Sequence, residues 1–195
     1  MNWHDHSKLG LEGSHAFLGG SNYAWRNYSD EKLKETYINR LAKEKGTILH
    51  EEACRLIKLG IEVKSKRRTF NMYVNDAIGF GMRPEELLFY SMNCYGWADT
   101  IAYNEKKKFL RIHDLKTGVT PASLKQLEIY AALFCLEYGV RPGDLNGIEL
   151  RIYQNDDILI GNPEADDIAP IMDDIIHKDK ILEQIKEDSD TWIVL

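Results

Sequence analysis

Cysteine is scarce in this chain: Cys54, Cys94 and Cys135 stand apart among 195 residues, with no C-x-x-C pair. That spacing excludes a disulfide framework and a zinc knuckle, and the three read as ordinary buried thiols. Long apolar runs are missing too, since none approaches the roughly 18 residues of a membrane span. The opening MNWHDHSKLGLEGSH lacks the basic-then-apolar order of a signal peptide. A cytoplasmic protein is expected. Internal repeats and low-complexity linkers are absent as well, so the expectation is a single domain over 1–195 with an acidic helical segment from about 163 to 195.

Excess positive charge is also lacking, because the net charge is -6. Taken alone, that argues against a phosphate-rich partner. The distribution changes the reading: residues 152–195 hold 12 acids and 3 bases, leaving 19 acids and 22 bases in residues 1–151. A mildly basic body therefore carries an acidic appendage.

With 44% hydrophobic and 29% charged residues, the chain has the means to bury a core. Up to Asn27 it is rich in Gly, Ser and aromatics and reads as an irregular lead-in. Ser29 is placed to cap a helix to about Lys45, and Thr47, after Gly46, to cap a second, TILHEEACRLIKLG, ended by Gly60. Its apolar face is Leu49, Ala53, Leu56 and Ile57. Thr69 is placed to cap a third helix through Ile78, closed by the glycines of GFGM.

The period then shortens. ELLFYSMNCY, ADTIAY and KFLRIHDLK are short, aromatic and β-branched, which suggests an antiparallel meander. Thr120 and Pro121 open a long helix, PASLKQLEIYAALFCLEYG; GIELRIYQ alternates as a further strand, and a last acidic helix follows from roughly Ala169 to Asp188. The fold class is α/β: a mixed β-sheet, made of a meander plus an added strand, flanked by helices.

One stretch demands a chemical explanation. In GWADTIAYNEKKKFLRIHDLKTG, Asp114 and Lys116 share a strand face, and the NEKKK turn folds Asp99 back beside them. Asp and Lys are poor strand residues, and two close carboxylates do not both stay ionised without a cation between them. Oxygen ligands suit Mg²⁺ or Mn²⁺, ions that commonly meet substrate phosphates. A neighbouring lysine can orient or deprotonate water and neutralise developing charge. The set is an arrangement for phosphodiester hydrolysis.

In these residues the chain resembles the PD-(D/E)XK nucleases, within the branch of RecB-type nuclease domains, phage lambda-type exonucleases and CRISPR-adaptation nucleases. The resemblance rests on GTILH at 46–50, GWAD ending at Asp99, HDLKTG with Asp114 and Lys116, and QLEIY at 126–130, and it covers roughly residues 46–130. It implies a restriction-endonuclease-like core. It also implies metal ligation by His50, Asp99, Asp114 and the backbone carbonyl of Leu115, catalysis by Lys116, and a site lined by Gln126 and Tyr130 that touch the DNA backbone. Ala98 replaces the family's proline, and the second acid is Asp114 rather than Glu. The iron-sulfur cluster of some relatives needs four cysteines, so none is expected here.

Arg26, between Trp25 and Tyr28, is a candidate for a terminal DNA phosphate. The expectation is thus a Mg²⁺- or Mn²⁺-dependent deoxyribonuclease of a bacterial or phage-infected cell, nearest to a phage or prophage exonuclease that resects linear DNA for recombination or repair. Candidate partners are linear DNA with a free end, a single-strand annealing protein and further copies of the chain. The rival readings are a non-catalytic DNA- or partner-binding module on a nuclease fold, and a structure-selective endonuclease or CRISPR-type end trimmer.

Overall fold

The computed structural model describes residues 7–10, 15–64 and 68–192. The chain divides into two compact units, residues 1–45 and 46–195. In the first, the Trp25 indole N–H donates to the Gly19 carbonyl (3.1 Å), and Phe17 meets Tyr37 edge-on at 5.1 Å. Ser29 does cap a helix, its Oγ accepting the Lys32 amide at 3.2 Å.

That helix, α1 (Asp30–Leu59), is continuous, and the expected break at Gly46 does not occur. Gly46 is buried, and a Cβ there would stand 2.8 Å from Thr117 Oγ1. The glycine therefore serves close approach within the second unit rather than a helix end. Gly60, at φ +64, closes α1 as expected, with the Ile61 amide returning to the Leu56 carbonyl.

In the second unit, α2 (Thr69–Gly79) begins one residue earlier than a Thr69 cap would have it. The capping acceptor comes from far along the chain: Asp156 Oδ1 receives the Thr69 amide at 2.7 Å, and Thr69 Oγ1 receives the Asp156 amide at 2.7 Å.

Five strands form one mixed sheet: β1 (Arg83–Ser91), β2 (Cys94–Asn104), β3 (Phe109–Leu115), β4 (Gly147–Gln154) and β5 (Asp157–Gly161). They lie in chain order, antiparallel except for β3 and β4, which run parallel. The crossover between those two carries α3 (Lys125–Tyr138), which starts four residues after Pro121. ELLFYSMNCY is the β1–β2 hairpin rather than one strand. β5 escaped the sequence reading, although Asn155 and Asp156, both at positive φ, make the two-residue turn that announces it.

Strand alternation sorts the side chains into two cores. On one face Leu88, Ala98, Leu110, Ile112, Ile148, Leu150 and Ile152 pack with Leu127, Ala131 and Phe134 of α3. On the other Leu115 and Tyr153 pack with Ala53 and Ile57 of α1 and with Tyr73, Val74 and Ala77 of α2. Helix α4 (Ala165–Trp192) lays Ile168, Ile171 and Ile175 on the α3 core, so the first half of the acidic segment is engaged within the chain, whereas Ile181, Leu182 and Ile185 farther along are exposed. Farther along, Asp179 accepts bonds from Ser91 Oγ (2.6 Å) and Asn93 Nδ2 (2.9 Å), and Glu183 also accepts from Asn93. The acidic helix holds the tip of the β1–β2 hairpin.

Candidate metal centre

Four elements bring the motif residues to the site: His50 comes from α1, Asp99 from β2, Asp114 and Lys116 from the end of β3, and Gln126 and Tyr130 from α3. Asp99 lies inside β2 rather than at its start, because β2 begins at Cys94 to pair with β1. It still falls one residue before the first β2–β3 pair, Thr100 with His113, so it stands beside the end of β3 as expected. Asp99 Oδ2 receives the Leu115 amide at 3.0 Å and lies 3.2 Å from His50 Nδ1. His50 is delivered by the second half of α1.

The end of β3 carries the other acid. Asp114 is 2% exposed. Lys116 Nζ stands 3.0 Å from both of its carboxylate oxygens, but only Oδ1 receives a hydrogen bond of proper angle. Oδ2 is buried without a donor. Lys116 also donates to Gln126 Oε1 (2.9 Å), and Gln126 Nε2 to the Tyr130 hydroxyl (3.0 Å). These two residues are neighbours on one face of α3, one turn apart, as their spacing requires. Gly96 of GWAD makes room for the Tyr130 ring, since a Cβ there would meet Tyr130 Cε1 at 2.7 Å.

Glu85 is the residue that sequence reasoning missed. The β1–β2 register runs Pro84 with Thr100 and Glu86 with Ala98, which sets Glu85 opposite Asp99. Its φ of +52 is unusual for a glutamate. Ligating atoms of His50, Glu85 and Asp99 all lie within 4.8 Å of one another. The tightest group of possible ligands thus holds Glu85 and not Asp114, whose carboxylate is engaged by Lys116. The signal was the Glu85–Glu86 pair heading a strand, a signal without force until the hairpin register is known.

The electrostatics describe an excess of negative charge. Burial and then the Asp99 carboxylate push the Asp114 carboxyl up to about 6, against the opposing pull of Lys116. Glu85 is raised for the same two reasons. The hydrogen bond to Asp99 raises the His50 imidazole, against the effect of burial. A divalent cation would relieve all three, and the undonated Asp114 Oδ2 together with the clustered oxygen and imidazole donors of His50, Glu85 and Asp99 fits one.

Glu52 is taken up by Arg55 at 2.7 Å, and Glu51 is exposed. Lys106–Lys108 form the β2–β3 turn, at the opposite end of that ladder from Asp99. Arg26 is an exposed residue of the first unit. His113, beside Asp114 in the motif, is structural: it is fully buried, with Nδ1 at 3.3 Å from the Tyr153 hydroxyl. Burial and Arg151 depress its imidazole to about 3, so it is neutral at physiological pH.

The class that fold and site define is an α/β protein with a five-stranded mixed sheet and an acid-rich site at the end of the β2–β3 ladder. No family model matches the chain, nor does any curated protein or solved structure. Among the described residues, no helix is long and apolar enough to cross a membrane.

Proposed function

We propose that this chain is a metal-dependent deoxyribonuclease with a restriction-endonuclease-like core, hydrolysing phosphodiester bonds of linear DNA. One observation carries the reading: ligand atoms of His50, Glu85 and Asp99 lie within 4.8 Å of one another, the Asp99 carboxylate receives the amide next to Asp114, and Asp114 itself holds the Lys116 ammonium while its buried Oδ2 has no hydrogen-bond donor. Burying that much charge without compensation is costly, and a cation with a phosphate provides it.

His50, Glu85 and Asp99 would hold a Mg²⁺ or Mn²⁺ ion, with Asp114 beside them. When bound, such an ion supplies Lewis-acid charge for a phosphoryl oxygen and a nucleophile from water at neutral pH. The rest is the work of this chain. The Leu115 amide and His50 orient the Asp99 carboxylate. Asp114 and Gln126 hold the Lys116 ammonium between them, where it meets charge developing on phosphate oxygens. Gln126 is in turn steadied by Tyr130, and such support is what keeps a catalytic group in productive geometry.

The test is incubation of the purified protein with end-labelled linear duplex and closed circular DNA, in Mg²⁺, Mn²⁺ or EDTA. Metal-dependent loss of the linear DNA alone, abolished in Lys116→Ala, is the expected result. Efficient cutting of closed circles would replace the exonuclease by an endonuclease. Cleavage undiminished in Lys116→Ala and Asp114→Ala would remove the site assignment.

A further inference from the structure

The face of the β1–β2 hairpin that points away from α3 carries a row of exposed apolar side chains. Leu88, Tyr90, Cys94 and Ala98 face α3. Alternation therefore turns Leu87 and Phe89 of β1, and Tyr95 and Trp97 of β2, to the opposite face. Leu87 pairs with Trp97 and Phe89 with Tyr95, making a two-by-two patch. All four are exposed, Tyr95 and Trp97 each at 54%. The Phe89 and Tyr95 rings lie stacked, 6.3 Å apart at 23°.

The patch lies on the same hairpin as two residues of the candidate metal centre, Glu85 and Asp99. Along the two strands Glu85 and Asp99 stand two residues on from Leu87 and Trp97, with the alternation interrupted between them: Ala98 and Ile101 both pack in the α3 core, and Glu85 has a φ of +52. Two residues of strand advance about 6.7 Å, so the backbone of Trp97 lies about that far from the backbone of Asp99. Between the acids and the hairpin tip this face carries no charged side chain. Its chemistry suits flat π-systems and not phosphates. A second copy adding a strand to β1 is disfavoured, because the Phe89 amide of that edge strand is already bonded to Glu137 Oε2 at 2.9 Å.

We propose that this aromatic face is a stacking platform for the unpaired bases of a DNA strand whose phosphate occupies the metal centre. The platform rests on the nuclease reading for its substrate, and adds that the substrate is gripped as a single strand by its bases next to the reacting phosphate.

The experiment is an anisotropy titration of the full-length protein in Ca²⁺, using a fluorescent thymidine oligonucleotide and an abasic strand of the same length. The wild type is expected to favour the base-bearing strand by about tenfold or more, the scale of one or two stacked bases. Trp97→Ala and Tyr95→Ala should each weaken that strand by about 5- to 150-fold, bringing it towards the abasic one. Leu159→Ala, exposed on β5, should keep the preference.

Equal wild-type affinity for the two strands, no binding of either, or a preference untouched in both aromatic variants would overturn the platform. So would a concentration-dependent dimer in sedimentation that Trp97→Ala abolishes, since the face would then belong to a second copy. A Trp97-dependent preference without DNA cleavage in any metal would sustain the platform and remove the nuclease. Cleavage without any base preference would do the reverse.

Discussion

Asp114→Asn removes one charge and almost no volume, and the structure sets what should follow. The Asp114 carboxyl is raised from 3.8 to about 6, chiefly by burial and then by Asp99. In the unfolded chain it returns to the ordinary value, so between about pH 4 and 6 the folded state keeps a proton that the unfolded state has lost. Stability therefore falls as pH rises through that window. Above it the ionised carboxylate costs the full difference, about 2 units or roughly 3 kcal/mol. Lys116 is already included in that balance, because its attraction opposes the rise.

Asparagine avoids the cost. In EDTA, Asp114→Asn is expected to be more stable than the wild type by about 1–3 kcal/mol at pH 8, with the advantage vanishing below pH 4. Urea unfolding of both proteins across that range measures it. Mn²⁺ should reverse the order at pH 8, because only the wild type gains the full benefit of the cation. The same variant should lose DNA cleavage. An advantage equal at pH 4 and pH 8, or a variant less stable than the wild type at pH 8 in EDTA, would refute the charge-excess account of the site.

Other consequences are as direct. His50 must be neutral to ligate, and the Asp99 hydrogen bond raises its pKa, so Mn²⁺ affinity by calorimetry should climb with pH across the neutral range. His50→Gln should lower it by at least about tenfold. Gly46→Ala gains about 1 kcal/mol of helix propensity but sets a Cβ 2.8 Å from Thr117 Oγ1. A double-mutant cycle with Thr117→Ala should show coupling above about 0.5 kcal/mol, and strict additivity would mean that Thr117 simply turns aside. Asn93→Ala breaks the bonds from the hairpin tip to Asp179 and Glu183 and should cost about 1–3 kcal/mol in urea unfolding. Lys178→Ala, on an exposed turn of α4, should leave the midpoint nearly unchanged.

Much of this protein was legible along the chain because its strongest signals are local. GIELRIYQ shows its alternation and is β4, residue for residue. Ser29 and Gly60 cap α1 from positions a sequence reader would choose. Asp114 and Lys116 share a side because two residues along a strand always do. Gln126 and Tyr130 are neighbours because a helical turn makes them so. What required the tertiary structure was every fact that depends on which strand lies beside which. Gly46 read as a helix stop, and only the approach of Thr117 shows why a glycine stands inside α1. The α2 cap comes from Asp156, 87 residues away, beyond any local rule. Glu85 belongs to the candidate centre solely through its register opposite Asp99. The buried, donor-less oxygen of Asp114 exists only once the folded chain has closed around it. Backbone periodicity is written residue by residue, whereas burial and long-range pairing are properties of the packed chain, and the charge balance of the site follows from those two.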